Sequence, residues 1–245
     1  MMRLDAFIFS KGYTDSRTEA KSFITDGAVT VNGKTVKKPA FDVSENDVIT
    51  VDKTSKKFVS RGGLKLDGAL SDFGIDVSGR LALDVGASSG GFTDCLLKRG
   101  ALSVISVDSG SGQLAESLRC DSRVTVKENF NARYMTPSEL EYIPDIAVMD
   151  VSFISATYII PAIYSVLSPG GDFVCLIKPQ FEVGRENLGK GGIVKSEKLR
   201  NSAVKKVTSF AESIGFVTKK VITSPIEGGD GNIEYLAFFR KEEEK

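Results

Sequence analysis

The apolar positions of the first fifty residues follow a helical spacing twice and then an alternating one. Leu4, Phe7 and Ile8 share one face of a helix predicted over residues 3–11, and Ala20, Phe23 and Ile24 share one face of a second. Ser16, with Glu19 three residues on, is a capping-box signature for the second helix, and Gly27 stops it. Val29–Val36, VTVNGKTV, alternates around Asn32 and Gly33, the signal of a type I′ hairpin, and Val48–Val51 adds a strand. The polar, basic stretch Asp52–Lys57 is where this small α+β unit gives way. The expected boundaries are 1–58 for the first domain, 59–63 for a linker and 64–245 for the second domain.

From residue 64 the pattern changes to strands alternating with helices. Leu64–Phe73 reads as a helix, closed by Gly74–Gly79. Leu81–Val85 is an apolar strand with one acid inside it, Asp84; a Gly-rich turn, Gly86–Gly91, follows, and Phe92, Cys95 and Leu96 then fall at helical spacing. Strand, tight turn and helix N-terminus make the first unit of a nucleotide-binding α/β sheet. Glycine lets the backbone approach a ligand where a Cβ would block it, and free N–H groups at the helix start can meet polar ligand atoms. The second strand, Ala101–Val107, ends in Asp108, 24 residues beyond Asp84. A doubly wound sheet puts the carboxylate that holds ribose hydroxyls at about that place.

The remaining elements expected are a helix at Gln113–Leu118, strands at Val124–Val126 and Ile146–Met149, and a helix at Ala156–Leu167 that Pro161 kinks or begins. Then come a strand at Gly171–Ile177, a Gly-rich loop at Val183–Val194 and a long helix at Glu197–Ile214. Strands at Val217–Thr223 and Ile233–Arg240 flank a loop at Ser224–Asn232, and the tail KEEEK is expected to fray. The fold class is therefore α/β, a Rossmann-like domain with a mostly parallel seven-stranded sheet, plus the small N-terminal α+β domain.

Composition changes this picture mainly by exclusion. With 32 basic and 32 acidic residues the net charge is zero, so any nucleic-acid surface must be local. There is no histidine, and the three cysteines, Cys95, Cys120 and Cys175, lack metal-ligand spacing. That excludes Ser-His-Asp and Cys-His catalysis and argues against zinc. The N-terminus shows no signal-peptide pattern, and the longest nearly apolar stretch, Tyr158–Leu167, is far short of a membrane span, so a cytoplasmic protein without a membrane partner is expected.

Four residues are expected at or beside the mouth of the sheet: Lys65, Asp150, Lys178 and Glu234. Asp150 and Lys178 directly follow apolar strands, and open α/β sheets bind ligands at the carboxyl ends of their strands. Partial burial and a second cation such as Lys65 would lower the pKa of Lys178, while Asp150 and Glu234 would oppose this and fix its orientation. A lysine so poised can take a proton from a ribose hydroxyl; the alternative is a structural ion-pair cluster. Gly184–Gly191, GRENLGKG, nearly spells a phosphate-binding loop, but Gly191 stands where magnesium needs Ser or Thr. A mobile loop that faces RNA or serves as a lid, with Lys190 and Lys195 for phosphate, is the expectation instead.

The spacing D-x-G-x-x-x-G-G at Asp84–Gly91, with its acid on the strand before the turn, resembles S-adenosylmethionine-dependent methyltransferases. The N-terminal R-L-D, S-R-x-x-A and I-x-x-G-x-V-x-V-N-G runs resemble the alpha-L RNA-binding module of a small-subunit ribosomal protein and of pseudouridine synthases. Lys65, Asp150, Lys178 and Glu234 on such a sheet are similar to the tetrad of FtsJ-like RNA 2′-O-methyltransferases. The ordered motifs V-S-R-G-G-L-K-L, D-V-G-A-S-S-G-G-F-T, V-D-x-G-x-G-Q-L, D-V-S-F-I-S, K-P-Q-F-E-V-G, G-K-G-G-I-V and G-N-I-E-Y are more similar still to the TlyA family, also called hemolysin A. The resemblance implies transfer of a methyl group from S-adenosylmethionine to a cytidine 2′-hydroxyl of ribosomal RNA, and sensitivity to capreomycin-type antibiotics.

It makes the four residues a catalytic tetrad with Lys178 the base. It assigns Asp84, Gly86, Ala87, Ser88, Gly90, Gly91, Phe92, Thr93, Asp108 and Asn131 to the cofactor. Arg3, Arg17, Lys21, Lys34, Lys37, Lys38, Arg61 and Lys190 would face RNA, although Asp5, Asp15, Glu19 and Asp26 interleave with the first of them. Two positions depart from the family pattern: Ser111 replaces a usual aromatic, and Phe130 a usual Thr. The chain resembles the shorter members, which act on the large subunit alone. The competing classes are a pore-forming hemolysin, a non-catalytic RNA-binding protein and a protein methyltransferase.

Overall fold

The structure, a computed structural model, describes residues 1–14, 16–25, 27–52, 57–228 and 231–243. Residues 53–56 of the polar stretch Asp52–Lys57, 229–230 of the Ser224–Asn232 loop, 244–245 of the tail, and Asp15 and Asp26 lie outside the described residues. The chain forms two compact units, Met1–Arg61 and Gly62–Lys245.

The first unit contains β1 (Met2–Arg3), α1 (Leu4–Ser10), α2 (Arg17–Thr25), β2 (Val29–Val31), β3 (Lys34–Thr35), β4 (Asp42–Val43) and β5 (Ile49–Val51). Leu4, Phe7 and Ile8 of α1 pack with Ala20, Phe23 and Ile24 of α2 over Val29, Val31, Val43 and Ile49. The apolar spacing of each helix is thus the seam of one small core. Ser16 Oγ accepts the Glu19 N–H at 3.1 Å, capping α2. Strands β3, β2 and β5 form an antiparallel sheet, and Asn32 (φ 51°) with Gly33 (φ 77°) makes the type I′ turn between β2 and β3.

The second unit contains α3 (Gly62–Phe73), β6 (Leu81–Val85), α4 (Gly91–Lys98), β7 (Ser103–Val107), α5 (Glu116–Arg119), β8 (Val124–Lys127), β9 (Ile146–Met149), α6 (Ile160–Val166), β10 (Asp172–Ile177), α7 (Glu197–Ile214), β11 (Phe216–Thr223) and β12 (Tyr235–Lys241). The seven strands run in the order β11-β12-β10-β9-β6-β7-β8. Strands β6 to β10 pair in parallel, and β12 is antiparallel to both its neighbours. Leu83, Val85, Ala147, Met149, Phe173 and Cys175 on one face of the sheet meet Ile160 and Ile163 of α6 and Val207 and Ala211 of α7. Helix α7 is bounded by its own chemistry: Ser196 accepts the Leu199 N–H, and Gly215 closes the helix at φ 115°.

Three expected helices differ. Helix α3 starts at Gly62, two residues before Leu64. The helix expected at Gln113–Leu118 is only Glu116–Arg119, because Gln113 is drawn toward Ser88 and Leu114 packs against the Gly90 turn. Residues Ala156–Tyr158 form a separate 3-10 turn, and α6 begins at Ile160 with Pro161 in its first turn, where the missing N–H costs nothing.

Candidate active site

Strand β6 delivers its acid into the interior. Asp84 is fully buried; its Oδ2 accepts from Thr93 Oγ1 at 2.6 Å, and Thr93 Oγ1 lies 2.7 Å from Ser106 Oγ. Asp84 Oδ1 has no hydrogen-bond partner among the described residues. Burial, opposed by the bond from Thr93 and reinforced by the charge of Asp150, pushes this carboxyl up to about 7.

The turn after β6 is shaped by close approach. Gly86 has φ 84°, and a Cβ there would strike the Asp150 carbonyl oxygen. Gly90, at φ 93°, caps α4, and a Cβ there would strike the Leu118 side chain. Glycine at 86 therefore allows the ends of β6 and β9 to meet, whereas glycine at 90 admits the α5 segment. Ser88, at φ 48°, turns its N–H onto Asp108 Oδ2 at 2.8 Å, and Gly110 N–H donates to Asp108 Oδ1 at 2.7 Å. Asp108 is thus held by two backbone donors at the end of β7, with lone pairs left for hydroxyl donors.

A cleft of about 490 Å³ opens beside this turn. Gly86, Ser88, Asp108, Asn131 and Asp150 line it with Gln113, while Phe130, Ile154 and Ile159 give it apolar walls. Ala87 borders a small recess next to it. Gly90, Gly91, Phe92 and Thr93 are buried in the turn and the first turn of α4 and do not line this cleft. Asn131 Oδ1 accepts the Arg133 N–H at 3.1 Å, so its side chain caps the following 3-10 turn.

The four candidate catalytic residues form two ion pairs. Lys178, the first residue after β10, places Nζ 2.5 Å from Asp150 Oδ1 and donates to Ser152 Oγ at 2.7 Å. The contact with Asp150 is an ion pair off hydrogen-bond alignment; the aligned bond is the one to Ser152. Lys65, in the first turn of α3, donates to Glu234 Oε2 at 2.5 Å, and both are buried. Glu234, expected to oppose a second cation near Lys178, matches the charge of Lys65 directly.

Lys178 and Glu234 line a second, larger cleft of about 960 Å³. Ser152, Phe153 and Ile154 belong to both clefts, so the β9–α6 loop is the wall they share. Phe153 sits at φ 65° and is 92% exposed, its ring centroid 5.3 Å from that of Phe181. A left-handed backbone at a bulky residue costs of order 1 kcal/mol or more, which the surrounding loop must hold in place. Buried Glu182 supplies part of that hold: it accepts the Ala156 N–H at 2.7 Å, Ser155 Oγ at 2.6 Å and Lys206 Nζ at 3.0 Å. Gln113, Ser152, Phe153 and Glu182 carry no assigned role in the sequence reading, although all four stand inside its motifs.

In the first unit, Arg3 and Arg17 converge on buried Asp5. Arg3 makes two 3.0 Å bonds to its carboxylate and Arg17 one at 3.3 Å, and each arginine side chain stays about half exposed. Lys21, Lys34, Lys37 and Lys38 are exposed and Arg61 is half-buried. Lys190 lies in the second unit, exposed in a 3-10 turn, Lys190–Gly192.

Residues 58–241 match the family described as FtsJ-like methyltransferase, and residues 2–49 match the S4 domain. The chain is 45% identical over 239 residues to Hemolysin A of Brachyspira hyodysenteriae, covering 97% of this chain and 99% of that protein. It is 43% identical over 244 residues to the 16S/23S rRNA (cytidine-2′-O)-methyltransferase TlyA of Mycobacterium tuberculosis, covering 99% of this chain and 91% of that one. A solved structure from Streptococcus thermophilus, named only provisionally as a hemolysin, has a TM-score of 0.79 at 41% identity, covering 98% of this chain and 88% of that one.

Proposed function

The chain belongs to the FtsJ-like methyltransferase family, and we propose that it transfers a methyl group from S-adenosylmethionine to a cytidine 2′-hydroxyl of ribosomal RNA. The observation that carries the chemistry is Lys178, held by Asp150 and Ser152 at the carboxyl end of the sheet, beside the cleft that contains Asp108. A ribosomal substrate makes the cytoplasm its place of action.

The residues of the smaller cleft suit the cofactor. Asp108 presents a carboxylate already fixed by two N–H groups, the donor set that a ribose diol needs. Gly86 offers backbone with no Cβ, and Phe130, Ile154 and Ile159 offer apolar surface for a purine ring. Gly86, Ala87, Ser88, Asp108 and Asn131, with Gln113, would hold S-adenosylmethionine there. Asp84 would act from beneath, through the turn it supports, as would Gly90, Gly91, Phe92 and Thr93. When bound, the cofactor supplies an electrophilic methyl group on a sulfonium centre.

Lys178 removes the proton of the ribose 2′-hydroxyl. Its Nζ is confined by two partners from the β9–α6 segment, so the neutral amine that accepts the proton, once it has given up its own, is held in place rather than found by rotation. Glu234 lines the same cleft, fixed by its bond from buried Lys65, and would accept from the hydroxyl to orient it. Arg3, Arg17, Lys21, Lys34, Lys37, Lys38, Arg61 and Lys190 serve the RNA backbone.

The name of the Brachyspira relative suggests a membrane-active protein instead. No helix among the described residues is long and apolar enough to cross a membrane. The deciding experiment measures methyl transfer from labelled S-adenosylmethionine to purified large and small ribosomal subunits, wild type beside Lys178→Ala. Label on a ribose of the large-subunit RNA, lost in the variant, is the expected result. Label on the small subunit as well removes the restriction to the large subunit. Absence of label on either, with the cofactor still bound, overturns the methyltransferase reading.

A further inference from the structure

Two large aromatic side chains beside the clefts are left in solvent. Tyr134 is 68% exposed and Tyr158 is 53% exposed. Between them stands Arg133, its guanidinium carbon 4.8 Å from the Tyr158 ring centroid and 5.6 Å from that of Tyr134. Arg80, Arg99, Arg119, Arg123 and Arg240 each pair with a carboxylate. Among the described residues Arg133 pairs with none; its backbone N–H is engaged by Asn131, and its head is held by the two rings. A guanidinium fixed by aromatic faces keeps its N–H edge free for an anion.

The location gives this group a use. Arg133 and Tyr134 follow Asn131, which lines the smaller cleft, and Tyr158 lines the larger cleft with Lys178 and Glu234. The group therefore borders the place where a target ribose would meet the methyl donor. Exposed ring faces and an unpaired arginine edge are what unstacked bases and their phosphates recognise, whereas a duplex hides its base faces. We propose that Arg133, Tyr134 and Tyr158 form a stacking platform for unpaired nucleotides flanking the target nucleotide of the RNA substrate. The proposal rests on the rRNA methyltransferase function above and adds the single-stranded character of the RNA at the site.

The competing role is a purely structural staple between the two 3-10 turns that carry these residues. Both roles are read with the full-length chain by titrating purified large-subunit RNA in the methyl-transfer assay, with cofactor affinity by calorimetry and melting temperature alongside. Tyr134→Leu and Tyr158→Leu are each expected to raise KM for RNA about tenfold, in keeping with the loss of one stacked base. Turnover, cofactor affinity and melting temperature are expected to stay close to wild type. Arg133→Gln is expected to raise KM as well and to lower the slope of log KM against log salt by about one, while the tyrosine variants leave the slope unchanged. Unchanged KM in all three variants, whatever happens to melting temperature, overturns the platform in favour of the staple. A wild-type protein that binds cofactor but methylates no RNA overturns the function itself, and the platform with it; that outcome is visible before any variant is made.

Discussion

Asp84 carries an ionisable group into a fully buried position with one oxygen unpartnered, and its proton follows from that. Burial raises its carboxyl to about 7, against about 3.9 in an unfolded chain. Between those values the folded protein holds a proton that the unfolded chain has released. Stability therefore falls as pH rises from about 4 to about 7 and levels off above it. Asp84→Asn keeps an acceptor for Thr93 Oγ1 and removes the titration. Urea unfolding at pH 5 and pH 8 is expected to show wild type losing on the order of 3 kcal/mol more than the variant over that interval. Parallel losses in both proteins would place the proton elsewhere. The Lys65–Glu234 pair obeys the opposite logic, because both charges are buried and matched. Lys65→Met strands Glu234 and is expected to cost about 3–5 kcal/mol, while the double change Lys65→Met with Glu234→Leu recovers most of it. Methyl transfer separates structure from chemistry here: a stable double variant that stays inactive marks the pair as part of the reaction, and a stable active one marks it as scaffolding.

At the scale of elements, the site depends on how the segments after β9 and β10 are tied together. Glu182, in the segment after β10, reaches Ser155 and Ala156 beyond β9 and accepts from Lys206 on α7. Those bonds fix the loop that carries Ser152 and Phe153. Glu182→Gln keeps one oxygen for the Ala156 N–H but puts an NH2 group in place of Oε2, facing two donors, Ser155 Oγ and Lys206 Nζ, so we expect a stability loss of about 1–3 kcal/mol. Turnover should fall roughly tenfold, in line with what a small displacement of positioned groups costs. Cofactor affinity, which rests on the β6 and β7 turns as well as on Ile154 and Ile159, should fall less than turnover; calorimetry beside single-turnover kinetics reads the two apart. The elements themselves were largely legible. Leu81–Val85, Ile146–Met149 and Glu197–Ile214 appear in the sequence with the ends the structure gives them, because apolar runs and caps are local signals. Gln113–Leu118 misled for a tertiary reason: the pull of Ser88 on Gln113 and the seat of Leu114 beneath Gly90 outweigh helix propensity. The site divides in the same way. Strand ends announce Asp108, Asp150 and Lys178, but nothing in linear order says that Lys65 meets Glu234. Nor does it show that Phe153 turns left-handed at the wall between two clefts; the first of these facts depends on β12 entering between β10 and β11.

For the whole molecule, a net charge of zero leaves RNA affinity to local arrangement. In the first unit two guanidiniums are fixed on one buried carboxylate, Asp5, whose pKa the bond from Arg3 holds below the ordinary range. The pair of arginines with Asp5 still carries one net positive charge, and the cations are fixed before any phosphate arrives. Pre-organisation of this kind reduces the side-chain entropy lost on binding. Arg17→Ala is therefore expected to weaken RNA binding, to lower the salt slope by about one and to leave cofactor affinity unchanged. Asp5→Asn separates arrangement from charge. If net charge alone set affinity, removing an acid would tighten binding; if the carboxylate matters because it aligns Arg3 and Arg17, binding weakens although the protein has become more basic. Anisotropy titrations of labelled rRNA at two salt concentrations, with the full-length chain, decide the sign. Tighter binding by Asp5→Asn at both salts would mean that the clamp is incidental and that the arginines act as independent surface charges.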